Sequence, residues 1–109
     1  MTNIARVTDH NFDPEVIKCD VPVLACFQAD WSAPGRQAVA TLTEIAGEYP
    51  DRLKVALLDI DANSTVTSAY AVLKIPTIII FKHGQIMGRL DDHFSKETIV
   101  SQVAPFLDE

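Results

Sequence analysis

The sequence has no long apolar run. Its wholly apolar stretches, such as Ile78 to Phe81, are far too short to span a bilayer. The opening residues, Met1-Thr2-Asn3-Ile4-Ala5-Arg6, also lack the basic-then-apolar pattern of a signal peptide. The expectation is a soluble, cytoplasmic protein that does not act at a membrane. A basic block is missing too. Nine Lys and Arg are scattered among fifteen Asp and Glu, for a net charge of −6. A nucleic-acid footprint is therefore absent, and acidity of this size serves solubility. The three histidines, His10, His83 and His93, have no ligand spacing. Neither a metal nor a cofactor is expected. Cysteine is scarce: Cys19 and Cys26 are seven residues apart, with Cys26 in a predicted strand. Extended chain over that interval covers about 20 Å, whereas a disulfide needs Cα atoms within about 7 Å. Two unpaired thiols suit a reducing compartment. Repeats, linkers and low-complexity segments are also missing, so residues 1–109 are expected to form one domain.

What is present is a core. Hydrophobic residues make up 48% of the chain, which argues against disorder. Ile4 to Val7 is a candidate edge strand. Thr8 and Asp9 can cap the helix that follows, in which Phe12, Val16 and Ile17 share a face and Pro14 fits the first turn. Val23 to Phe27 is continuously apolar, as in a strand buried on both faces. Ala38, Leu42, Ile45 and Tyr49 have helical spacing, and Pro50 closes that helix. Leu53 to Ile60 is a third strand, and a helix capped by Asn63 or Ser64 runs through Tyr70 and Ala71. Thr77 to Lys82 is a β-branched strand, His83-Gly84 a hairpin turn, and Gln85 to Leu90 the returning strand. Asp91 to Phe94 reads as a loop. Ser95 caps a last helix with Ile99, Val100, Val103 and Phe106 as its buried stripe. The order βαβαβαββα predicts an α/β fold. Its central mixed sheet has helices on both faces, early parallel strands and an antiparallel edge from the hairpin.

One stretch joins the second strand to the second helix: Trp31-Ser32-Ala33-Pro34-Gly35-Arg36. Side chains in such a turn meet the positive end of a helix dipole. This turn carries no thiol, carboxylate or histidine. Ser32 has no neighbouring His or Asp to activate it as a nucleophile, and its type suits a helix cap.

Collinear segments along nearly the whole chain resemble the thioredoxin family. They include Phe12-Asp13, Pro22-Val23-Leu24, Phe27, Ala29-Asp30-Trp31, Val55-Ala56 and Asp59-Ile60-Asp61, then Ile75-Pro76-Thr77, Phe81-Lys82, His83-Gly84 and Ser95-Lys96-Glu97. The resemblance implies the thioredoxin fold and, by family, protein-disulfide reductase chemistry in cell redox homeostasis. In that family the turn reads Trp-Cys-Gly-Pro-Cys-Lys. Its first cysteine attacks a substrate disulfide and its second resolves the mixed disulfide. Here those two places hold Ser32 and Gly35. The family's buried carboxylate falls at Cys26, its nearby lysine at Leu57, and its glycine beside the substrate groove at Asp92. Differences also at Ala33 and Arg36 read as natural divergence rather than a designed knock-out. Ile75-Pro76 resembles the family's cis-proline segment, whose backbone pairs with extended substrate by β-augmentation.

The main expectation is a redox-inactive member that binds a protein or extended peptide. Its groove would be Trp31, Ser32, Ala33, Pro34, Ile75, Pro76, Asp92 and His93. The alternative is a thiol–disulfide role through a single cysteine, Cys19 or Cys26, and a third reading is a chaperone-like holdase. Oligomeric state is not legible.

Overall fold

The computed structural model describes residues 3–91 and 94–107. Its strands are β1 (Ile4–Val7), β2 (Val23–Gln28), β3 (Lys54–Asp59), β4 (Thr77–Lys82) and β5 (Gln85–Asp91). Its α-helices are α1 (Ala33–Glu48), α2 (Ser64–Ala69) and α3 (Lys96–Val103). A five-residue π-helical turn, Asp13–Ile17, precedes β2, and a short 3₁₀ turn, Ala104–Phe106, follows α3. The sheet order is β1-β3-β2-β4-β5. β1 and β2 both run parallel to β3, while β4 is antiparallel to β2 and β5 antiparallel to β4. The mixed α/β sheet is the one anticipated.

The apolar runs of β2 and β4 behave as strands buried on both faces. Leu24, Cys26, Ile78 and Ile80 face one core with Leu42 and Ile45 of α1 and Ile99 and Val103 of α3. Val23, Ala25, Phe27, Ile79 and Phe81 face the other with Phe12, Val16 and Val66. Phe12 and Tyr70 each meet both Phe27 and Phe81, with ring centroids 5.5–6.4 Å apart. Helices therefore cover both faces. Each fully buried Leu or Ile contributes about 1.5–3 kcal/mol. Tyr49 and Phe106 are half-buried, at the C-cap of α1 and in the 3₁₀ turn. His83 and Gly84 take φ of 51° and 80°, the pair of positive values a tight hairpin turn needs.

Five expectations are corrected. The antiparallel part is larger than the hairpin, because β4 itself runs against β2. The reason is length. The six residues of α2 rise about 9 Å, whereas a six-residue strand covers about 20 Å. That helix does not return the chain to the sheet's far end, so β4 starts where β3 finished. Asp91 is the last residue of β5, paired with Thr77, and not a loop residue. The helix expected around Phe12 is only a π-helical turn, and its N-cap position is Phe12, with no side-chain cap. Thr8 Oγ1 does accept from Asn11 N at 3.3 Å, but Asp9 caps a different helix. Its carboxylate accepts from Thr65 N at 3.3 Å and Val66 N at 2.9 Å, at the start of α2. Asn63, expected to cap α2, instead donates from Nδ2 to Asp59 O at 3.0 Å and accepts from Asp9 N at 2.9 Å. Asp9 is close enough to cap α2 only because β1 and β3 are neighbours in the sheet.

Candidate site at the carboxyl end of the second strand

The register brings the sequence-selected segments to one end of the sheet. Phe27 of β2 pairs with Thr77 of β4, Thr77 with Asp91 of β5, and Gln28 with Asp59 of β3. Carried one residue on, the same register sets Pro76 beside Gln28. The Trp31 turn, Asp61, the Ile75-Pro76 segment and Asp91 thus follow or precede adjacent strand ends. The Ile75-Pro76 bond is cis, with Ile75 half-buried and Pro76 buried. Asp92 and His93, expected to border the groove, lie outside the described residues.

The turn is held by its own hydrogen bonds. Ser32 N donates to Ala29 O at 3.0 Å, and Arg36 N to Ser32 O at 3.0 Å. Ser32 has an extended backbone, and its Oγ accepts from Gly35 N at 3.1 Å, so the expected helix cap is present. Ser32 is 7% exposed. Its hydroxyl oxygen is committed to the helix start, which leaves it badly placed as a nucleophile. Pro34 sits in the first turn of α1, where no N–H is needed. Arg36 Nη1 donates to Asp30 O at 2.6 Å. Trp31 is 69% exposed, and its indole Nε1 donates to Asp61 Oδ2 at 2.8 Å. Ala33 and Pro34 are also exposed.

Beneath the turn one pair of strand residues is apolar. Cys26 and Leu57 are register partners, 0% and 6% exposed. Burial pushes the Cys26 thiol up to about 12, so it stays protonated at neutral pH and is a poor nucleophile. Cys19 is half-buried, packed beside the core that holds Phe12 and Phe27. Neither thiol belongs to the turn. Among the described residues, no three of His, Cys, Asp and Glu gather as metal ligands, and no helix is long and apolar enough to cross a membrane.

Sequence reasoning missed two groups. Gln28 is 2% exposed, and its Oε1 has no hydrogen-bond partner among the described residues. A Cβ built on Gly35 would lie 3.2 Å from that oxygen and 3.3 Å from both Ala29 O and Gln28 Cβ. A side chain at position 35 would be crowded by Gln28 and by the Ala29 carbonyl. A polar residue closing an all-apolar strand was the available signal. The second group is Arg89 with Asp91. Arg89 Nη1 and Nη2 donate to Tyr70 O and Ala71 O at 2.6 and 2.9 Å, and Nε to Asp91 Oδ1 at 3.1 Å. Asp91 Oδ1 also lies 2.9 Å from Thr77 Oγ1. Burial pushes the Asp91 carboxyl upward. Hydrogen bonds from Arg89 and Thr77, with the charges of Arg89 and Lys74, outweigh that effect and hold it below its usual value.

A mixed sheet of this order, with a capped helix leaving β2 at a Trp-containing turn and a cis-proline opening β4, defines a class of fold. The thioredoxin family model matches residues 3–105. Over 106 residues the chain is 39% identical to the thioredoxin of Pseudomonas aeruginosa, covering 97% of this chain and 94% of that one. It is 44% identical over 99 residues to thioredoxin 1 of a Nostoc species, covering 91% and 92%. It is also 39% identical over 105 residues to the thioredoxin of Acidithiobacillus ferridurans, covering 96% and 94%. The chain belongs to the thioredoxin family.

Proposed function

We propose that the chain binds an extended segment of a partner protein at the end of the sheet where Trp31 and Ile75-Pro76 lie, without dithiol exchange at its turn. One observation carries this reading. The two positions that hold the family's reactive sulfurs are a serine whose oxygen caps α1 and a glycine pressed by Gln28. Exchange through this turn has neither an attacking nor a resolving thiolate. Binding needs neither. An exposed Trp31 offers an aromatic anchor, and the backbone before β4 offers strand-type pairing. Asp30, Asp59 and Asp61 stand in the segments around the turn, which favours a polar or basic partner over an apolar one.

The relatives favour a second reading. They carry the name thioredoxin at about two residues in five identical, and on kinship alone a thiol–disulfide role is the stronger inference. In this chain that role falls to Cys19, because Cys26 is fully buried and its thiol is pushed up to about 12. Two measurements separate the readings. In insulin reduction with dithiothreitol, the first reading expects precipitation at the uncatalysed rate. Turnover above that rate, abolished by Cys19→Ala, establishes the second reading. In parallel, proteins retained on the immobilised chain are compared with those on Trp31→Ala. The binding reading expects their loss, and an unchanged set removes Trp31 from the surface.

A further inference from the structure

Arg89 is a strand residue whose two outer nitrogens reach the segment after α2. Tyr70 is the C-cap of α2, and Ala71 after it has a left-handed backbone with φ of 51°. Carbonyls at a helix C-terminus lack intrahelical partners, and a cation there is favourable. The two outer nitrogens of Arg89 take the Tyr70 and Ala71 carbonyls, and its Nε takes Asp91. Asp91 in turn meets Thr77 Oγ1, which also lies 2.6 Å from Lys74 O. The chain from Val72 to Pro76 is therefore tied at both ends. Tyr70 and Ala71 hold one side, Lys74 and Thr77 the other, and both lead back to one guanidinium on β5. Between these ties Leu73 stands 91% exposed, on the rim of a shallow pocket of about 210 Å³ also lined by Ala71, Lys74, Arg89 and Asp91. An exposed leucine on a segment pinned by hydrogen bonds is displayed, not merely loose.

We propose that Arg89 is a positioning residue for the peptide-binding segment: its planar fork sets where the backbone of Ile75 and Pro76 stands against β2 and β5. The inference rests on the binding reading above and names the group on which that binding depends. A lysine at this place supplies the charge but not three donors in one plane, so it does not replace the arginine.

The test uses the full chain and a short linear peptide selected from a displayed random library on the wild-type protein. Its dissociation constant is measured for wild type, Trp31→Ala, Arg89→Ala, Arg89→Lys and Val103→Ala, at a temperature where all are folded. Val103 is buried in the opposite core, so that variant reports loss of stability alone. Both Arg89 variants are expected to bind about tenfold more weakly, and Val103→Ala within about twofold of wild type. Should Arg89→Ala fail to fold, Arg89→Lys carries the test. Trp31→Ala binding weakly while Arg89→Lys binds as wild type overturns the positioning role and leaves the binding reading standing. Unchanged affinity in both the Trp31 and Arg89 variants, or no peptide selected, overturns the binding reading and the proposal with it.

Discussion

Gly35 and Gly47 stand on the same helix, α1, and the same substitution should move stability in opposite directions at the two places. Glycine in a helix costs about 0.5–1 kcal/mol relative to alanine, because its backbone loses more freedom on folding. Gly47 is exposed, with nothing within 4 Å of a Cβ built on it. Gly47→Ala should therefore stabilise by about 0.5 kcal/mol, the low end of that range, because the helix finishes one residue later. At Gly35 the new Cβ meets Gln28 Oε1 at 3.2 Å and Ala29 O and Gln28 Cβ at 3.3 Å, so neighbours must yield by a few tenths of an ångström. Two of those atoms belong to a fully buried strand end and one is backbone. Overpacking of that kind costs about 1–3 kcal/mol. Set against the propensity gain, Gly35→Ala should lose about 1–2 kcal/mol. For a domain of this size that lowers Tm by roughly 4–9 °C, while Gly47→Ala raises it by about 2 °C. Urea titration and thermal melts followed by circular dichroism read both. In a double-mutant cycle, Gln28→Ala should reduce the cost of Gly35→Ala, since the nearest contact is gone. If Gly35→Ala raised Tm as Gly47→Ala does, the place would not be crowded and the contacts drawn from Gln28 and Ala29 would be refuted.

Introducing two sulfurs with Ser32→Cys and Gly35→Cys should leave insulin reduction slow, and adding Gln28→Ala should speed it; fast exchange in the double variant alone would contradict the crowding at Gly35. A thiol reagent at pH 8 should label Cys19 readily in the native chain and Cys26 only after unfolding, as mass spectrometry would show. Cys26 also contributes to pH dependence. Its folded value of about 12 lies above the unfolded value near 8.5, so the native state holds the proton more tightly. That contribution is complete below about pH 8.5 and is lost as pH rises towards 12, so alkaline melts of Cys26→Ala should fall less steeply than those of wild type. Asp9→Ala should destabilise by about 0.5–2 kcal/mol through loss of the α2 cap, and Asp9→Asn by less, because an oxygen acceptor remains; equal urea midpoints for Asp9→Ala and wild type would count against the cap.

The architecture was largely legible in the chain. Val23 to Phe27 and Ile78 to Phe81 are unbroken apolar runs, short and rich in strand-forming residues, and they read as strands buried on both faces. Ser32 was readable as a cap, because the preference of a short hydroxyl side chain for a helix start is local. That the turn carries no thiol is likewise a property of residue identity alone. Contacts between residues far apart in the chain were not legible. Nothing within a few residues of Asp9 says that its carboxylate closes α2, or that Arg89 reaches back to Tyr70 and Ala71. Those bonds exist because β1 lies against β3 and β5 against β4, and pairing of strands is decided over the whole sheet. The direction of β4 was decided in the same way. A helix of six residues does not span the sheet, so Ile75-Pro76 returns to the end that carries Trp31. Composition and periodicity determined the elements, and residue identity alone shows a turn without a thiol. Tertiary structure alone set Gln28 against Gly35 and tied the proline segment to Arg89, because both depend on distances that only the assembled sheet defines.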